Sequence, residues 1–148
     1  HAVVHSVDKD MSDLDLALAE ARGAGATKII ATGFTGGRLD HALASIGSFA
    51  DHADLEPSIH AIDSIAWILA PRGRAQVAIT GEGRPFSIVA VTPEVRISCQ
   101  GCLYPLHDQP LPRLGSLGIS NRVNAREAII TVNEGVIVVV TWAYTSDS

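Results

Sequence analysis

Two grammars of apolar spacing run along the chain. In the first third, short apolar runs alternate with segments whose apolar residues recur three and four positions apart. Ala2–Val7 is brief and valine-rich, as a buried strand is. Leu14, Ala17, Leu18 and Ala21 then fall at helical spacing behind Ser12 or Asp13 as cap, and Gly23 and Gly25 stop the helix. Thr27–Thr32 predicts a second strand, and Leu39, Leu43, Ile46 and Phe49 predict a second helix. Strand–helix–strand–helix with crossovers this short implies parallel pairing.

Beyond Glu56 the spacing changes. Strands are predicted at Ser58–Ile62, Ile65–Leu69, Gln76–Thr80, Ser87–Val91, Val95–Ser98, Ala128–Val132 and Val136–Trp142, separated by turn residues such as Pro71-Arg72-Gly73 and Asn133-Glu134-Gly135. Residues 101–126 show no period and are rich in Gly, Pro, Ser and Asn. A loop that long inside a compact domain is usually functional or disordered. The fold class expected is α/β, a partial parallel sheet with helices, followed by an all-β sandwich domain. The expected domains are 1–56, an α/β unit, and 57–148, a β-sandwich.

Composition narrows the classes. The 148 residues carry a formal charge of −5 and are 47% hydrophobic, a core-forming rather than a disordered composition. All of that net charge lies before residue 58, where nine acids face four bases; the remainder is balanced at seven and seven. No basic stripe argues for nucleic acid, and no apolar run reaches the ~20 residues of a membrane span. Two cysteines, Cys99 and Cys102, do not make a disulfide scaffold, so a soluble, reduced, cytoplasmic protein is expected. Two strands do not make a parallel sheet buried on both faces, and the chain opens on His1 close to an apolar stretch. Further strands are therefore expected upstream or from a partner.

Ligands of open parallel sheets bind beyond the carboxyl ends of the strands. The first predicted strand runs into Asp8-Lys9-Asp10-Met11-Ser12-Asp13, and the second into Gly33-Phe34-Thr35-Gly36-Gly37-Arg38-Leu39-Asp40-His41. Parallel strands would set these segments side by side. Carboxylates for a hard cation, glycine amides, a helix amino-terminus and a guanidinium fork would then converge, as a polyphosphate with magnesium requires. Each piece has an ordinary reading as well: Asp10, Ser12 and Asp13 as capping, Gly36-Gly37 as a turn, Asp40 as a helix-start acid. Cys99 and Cys102 read as two unrelated thiols, since a structural zinc site needs four ligands. Trp67 and Trp142 read as core. Tyr104 could stack on a flat ligand or pack in an interface, and Ser116, Ser120 and Asn121 could bind or simply make turns.

Four segments in order resemble the thiamine pyrophosphokinase family. Lys9-Asp10-Met11-Ser12-Asp13 resembles its Lys-Asp-x-Thr-Asp motif, and Gly36-Gly37-Arg38-Leu39-Asp40-His41 its Gly-Gly-Arg-x-Asp-His element. Gly101-Cys102-Leu103-Tyr104-Pro105-Leu106 and Gly115-Ser116-Leu117-Gly118-Ile119-Ser120-Asn121 resemble its Gly-Leu-Lys-Tyr-Pro-Leu and Gly-Ser-x-x-Ser-Asn stretches. The resemblance implies transfer of the pyrophosphoryl group of ATP to thiamine, giving thiamine diphosphate and AMP, with Mg2+ and in a homodimer whose active sites lie at the subunit interface. It implies that 1–56 is the carboxy-terminal part of an α/β nucleotide-binding catalytic domain and 57–148 a β-sandwich thiamine-binding domain, with Asp10, Asp13 and Asp40 as catalytic residues and Asp10 and Asp13 holding the metal. Lys9, Ser12, Gly36, Gly37 and Arg38 would bind ATP phosphates, and Tyr104, Ser120 and Asn121 thiamine. Asp40 is the candidate general base. An upstream Asp-Gly-Asp-x-Asp-Ser element of the family has no counterpart here, so a carboxy-terminal portion with little or no kinase activity of its own is expected. A thiamine-binding module without catalysis, or another magnesium-dependent phosphotransferase, are the alternatives.

Overall fold

A computed structural model describes residues 12–34 and 37–142. Helix α1 (Asp13–Gly23) is followed by β1 (Ile30–Thr32), α2 (Leu39–Asp51) and a single 3-10 turn at Ala53–Leu55. Nine further strands follow: β2 (Ser58–His60), β3 (Ser64–Leu69), β4 (Gln76–Thr80), β5 (Pro85–Ala90), β6 (Arg96–Gln100), β7 (Leu106–Pro110), β8 (Asn121–Arg122), β9 (Glu127–Glu134) and β10 (Ile137–Trp142). The strand expected at Ala2–Val7 lies outside the described residues.

The strands form a six-stranded sheet, β1-β2-β3-β10-β5-β8, and a four-stranded sheet, β4-β9-β6-β7. β1 and β2 are parallel, with Ile30 opposite Ser58 and Thr32 opposite His60, and α2 crosses between them. Every other strand pair is antiparallel. The chain is thus an α/β unit with a mixed sheet, followed by an antiparallel sandwich. The larger sheet runs through both: β1 precedes residue 57 and its remaining strands follow it.

Why three layers form is written in β3 and β10. β10 is apolar from Ile137 to Val140, and these residues alternate between two cores. Ile137 and Val139 face the four-stranded sheet with Leu69, Phe86, Ile88, Ile97, Cys99 and Ile130. Val138 faces the helices with Leu18, Phe49, Ala50, Ile59 and Ile68. A strand covered on both faces has no polar side, which is why alternation is absent there. β4 is covered on one face only: Ile79 is buried, while Gln76, Ala78 and Thr80 are exposed.

Phe49 is fully buried at the centre of the helical layer, with its ring edge-on to Phe34 at a centroid distance of 5.3 Å. Ion pairs pin the layers at their rims: Arg22 to Asp54 at 2.6 Å and Arg74 to Glu56 at 3.5 Å. Arg72 also donates to the Ala50 carbonyl at 2.7 Å.

The segment read as period-free, 101–126, contains β7 and β8. β7 (Leu-His-Asp-Gln-Pro) is an edge strand with almost no apolar side, and Arg96 rather than a hydrophobic pair holds Asp108 across from it, at 2.8 Å. Gly101 is required there: its φ is +70°, and a Cβ would stand 2.2 Å from the Glu127 carbonyl oxygen. Trp142, expected in the core, is 38% exposed at the end of β10, because the strand runs past both cores there. Trp67 does pack against the sandwich core.

Phe49→Ala is expected to lower unfolding free energy by about 3–5 kcal/mol, as loss of a large ring from a closed site does. Leu43→Ala, on the exposed face of the same helix, is expected to change it by less than about 0.5 kcal/mol. Urea titration followed by circular dichroism checks both.

Candidate functional site

Both helices start at the same place. The amino-terminal ends of α1 and α2 line one open cleft of about 910 Å³, together with Gly33 and Phe34 from the end of β1. Ser12, Asp13, Gly37, Arg38, Asp40 and His41 are all on its wall. Gly33 turns the chain out of β1 at φ +82°, a conformation that a residue with a Cβ rarely adopts. The structure therefore gathers five of the sequence-predicted phosphate and carboxylate residues. Lys9, Asp10 and Gly36 lie outside the described residues.

Ser12 caps α1 in a reciprocal box. The Asp15 amide donates to Ser12 Oγ at 3.1 Å, while the Ser12 amide and hydroxyl donate to Asp15 Oδ2 at 3.2 and 2.6 Å. These bonds hold the Asp15 carboxyl below its ordinary value of 3.8. Asp13, two residues earlier, is left pointing its carboxylate from the first turn of the helix at an exposed position.

Arg38 stands at the cap position of α2 without capping it by its side chain. Its guanidinium instead grips Asp40 with both prongs, Nε at 3.1 Å and a terminal nitrogen at 2.5 Å. That fork holds the Asp40 carboxyl below the ordinary range. Both groups are exposed, so water competes for the pair and an anion could displace the carboxylate. While Arg38 grips it, Asp40 is a weak proton acceptor.

The other predicted group sits elsewhere. The side-chain amide of Asn121 is buried and joined to the backbone of Tyr104 by two hydrogen bonds, while the Tyr104 residue is 62% exposed. Ser120 is exposed at φ +61°, and its amide donates to Ser87 Oγ at 3.1 Å. None of the three lines the cleft, so the two groups do not share a cavity among the described residues.

Cys99 and Cys102 were expected to be unrelated. They are neighbours, buried, with sulfurs 2.6 Å apart, because the tight turn at Gly101 folds Cys102 back onto β6. Burial pushes the Cys99 thiol up. Among the described residues no group of three or more His, Cys, Asp or Glu gathers as a metal site.

Two sequence models match the chain in order: the thiamin pyrophosphokinase catalytic domain over residues 1–60, and the thiamin pyrophosphokinase vitamin B1 binding domain over 74–137. Together they take in most of its length. The chain belongs to the thiamin pyrophosphokinase family. The fold is also that of solved structures with the name. A thiamine pyrophosphokinase from Bacillus subtilis superposes with a TM-score of 0.77 at 22% identity, over 93% of this chain and 66% of its own. One from Geobacillus thermodenitrificans gives 0.77 at 24%, over 95% and 65%, and one from Candida albicans 0.61 at 14%, over 78% and 44%. The chain thus spans just under two thirds of the two bacterial structures. Among curated protein sequences there is no significant match.

Within this family frame, sequence motifs missed Phe34, Ala44, Ser45 and Ser48, which also line the cleft. The signal for Ser45 and Ser48 was helical spacing from His41, at four and seven positions on, which sets them along one face of α2.

Ser12→Ala is expected to lower stability by about 0.5–2 kcal/mol at neutral pH. The Asp15 share of that loss has a defined pH window. A depressed carboxyl contributes fully above its unfolded value near 3.8 and stops contributing as pH falls through the lower folded value. The gap between wild type and variant should therefore narrow below about pH 4, read by urea titration across pH.

Proposed function

We propose that this chain carries out, or forms part of the site for, transfer of the pyrophosphoryl group of ATP to the hydroxyl of thiamine, giving thiamine diphosphate and AMP. The observation that carries this is the meeting of two helix amino-termini, Asp13, Arg38 and Asp40 in one open cleft of a thiamin pyrophosphokinase family chain. Helix amino-termini present unpaired amides and the positive end of the helix dipole, the chemistry that phosphates seek. Within this proposal, residues 1–56 serve ATP and 57–148 serve thiamine.

Asp13, with Asp10 of the same motif, would hold Mg2+. The donor set fits, because magnesium keeps waters and phosphate oxygens and needs only one or two carboxylates from protein. Bound there, the ion would neutralise charge on the phosphates. Lys9, Gly36, Gly37 and Arg38 would hold the phosphate tail through amides and cations, and Ser12 would join them only where phosphate displaces Asp15 from its amide and hydroxyl. Arg38 would exchange Asp40 for phosphate, which frees the Asp40 carboxylate, restores its basicity and lets it orient the attacking hydroxyl. Tyr104, Ser120 and Asn121 would make the thiamine side, Tyr104 stacking on the aminopyrimidine or the cationic thiazolium. Because that side does not share the ATP cleft, a homodimer with active sites at the subunit interface brings them together. Leu103, Leu114, Leu117 and Ile119, exposed around the same loop, are apolar surface for such a contact. No helix among the described residues is long and apolar enough to cross a membrane. By this proposal the reaction takes place in the cytoplasm, where ATP is the common phosphoryl donor.

The test is product identity. With ATP, magnesium and thiamine, the weak turnover expected of this chain should release AMP and thiamine diphosphate in equal amounts by liquid chromatography; ADP in place of AMP would sink the proposal. Arg38→Ala is expected to cut turnover by about 100-fold, and Tyr104→Ala to raise the thiamine Kd by about tenfold with ATP binding unchanged.

A further inference from the structure

The segment that carries Tyr104 runs antiparallel to the chain around β8. The Asn124 amide donates to the Gly101 carbonyl and the Leu103 amide to the Arg122 carbonyl, each at 2.9 Å, and Cys102 stands opposite Val123. Continued by one residue, this register sets Tyr104 opposite Asn121 as a non-hydrogen-bonded pair, where antiparallel strands exchange no backbone bonds. Ser120, at φ +61°, then turns the chain away and onto Ser87. The Asn121 side chain bonds the Tyr104 backbone instead. The Tyr104 amide donates to Asn121 Oδ1 at 3.1 Å, and Asn121 Nδ2 donates to the Tyr104 carbonyl at 3.0 Å. The same Oδ1 also accepts the Arg122 amide at 2.9 Å, and the residue is 4% exposed. A primary amide is the side-chain group that presents one acceptor and one donor side by side, as a peptide unit does.

We infer that Asn121 is a positioning residue, a side-chain clamp on the backbone of Tyr104 that fixes it at the rim of the site rather than touching a ligand itself. Its oxygen is fully used and its burial keeps it from the surface, whereas the Tyr104 residue is 62% exposed. Fixing Tyr104 from behind leaves its ring free to meet a flat ligand with little ordering left to do. This rests on the reading of Tyr104 as thiamine-facing, and the experiment separates the two.

The decisive substitution is Asn121→Asp. A carboxylate keeps the acceptor for the Tyr104 amide but turns an oxygen toward the Tyr104 carbonyl, so the clamp opens at neutral pH. Protonation restores the donor; burial and the facing Tyr104 carbonyl favour the neutral acid, while the two amides that donate to Oδ1 favour the carboxylate. The expected results are a Tyr104 amide protected from hydrogen exchange in the unaltered chain, loss of that protection in the variant at pH 7, and a thiamine Kd about tenfold weaker that recovers as pH is lowered through the titration of the new carboxyl. The unaltered chain, whose clamp does not titrate, should show no such recovery. A direct ligand contact predicts the reverse, since a carboxylate beside the cationic thiazolium tightens binding at pH 7. Equal or tighter binding by the variant, or a freely exchanging Tyr104 amide in the unaltered chain, overturns the inference. The second measurement needs no variant, so it decides even where Asn121→Asp fails to fold. Protection that is lost in the variant, with no thiamine uptake by the unaltered chain, retains the clamp and removes the thiamine reading.

Discussion

The β3–β10 pair, buried on both faces, is what the rest of the molecule depends on. Its register sets Ile137 against Leu69, Val138 against Ile68 and Val139 against Trp67. A one-residue slip would exchange the faces and send the helical-layer residues into the sandwich and the reverse. The pair supplies both cores: the helical layer receives Ala66, Ile68, Ala70 and Val138 beneath Phe49, while the sandwich receives Leu69, Ile137 and Val139 against Phe86 and Ile97. Because β10 serves both cores, the helical layer that shapes the cleft and the sandwich that presents the Tyr104 loop are held to one sheet.

That coupling explains where the chemistry-bearing residues stand. Apolar faces of α1 and α2 are spent on the sheet, which leaves their amino-terminal ends at the sheet's edge. Amides with no helical partner collect there, and so do short polar side chains that cap them. Ser12 and Asp15 are committed to capping; Arg38 and Asp40 hold each other. The first-half charge of −5 is therefore divided between structural and available groups. Asp54 belongs with the first kind, its carboxyl lowered by Arg22 even though its own desolvation works the other way.

What the sequence shows depends on which force builds each element. Elements built by apolar burial were legible: α1, α2 and the strands β3, β4, β9 and β10 were found to within a few residues, because their patterns follow from one or two buried faces. Elements built by polar contacts were not. β7 is held by Arg96, Asp108, Asn133 and Ser98, and β8 is two residues long with a buried asparagine, so neither leaves an apolar period to read. The meeting of Ser12 and Asp13 with Gly37, Arg38 and Asp40 was legible, because parallel topology predicts where strand ends point. The nearness of Cys99 and Cys102 was not, because it needs the positive φ of Gly101 and the backbone packed against it.

The polar stretch 101–126 bears on how a segment with so few apolar residues holds a fixed shape at all. Hydrophobic burial contributes at a few isolated points, Cys102, Leu111 and Val123. Between them, order comes from backbone groups that find partners outside regular strands: Ser87 for Ser120, Asn121 for Tyr104, Ser98 for Asp108, and the Gly118 carbonyl for Ile88. Each such bond contributes little by itself, but leaving its buried group unpaired would cost more than the bond returns. A loop organised this way is intolerant of change at its polar residues and tolerant at its exposed apolar ones. Here Ser87 and Asn121, rather than Leu114 or Leu117, are the residues whose removal should disorder it, even though hydropathy alone would rank them the other way.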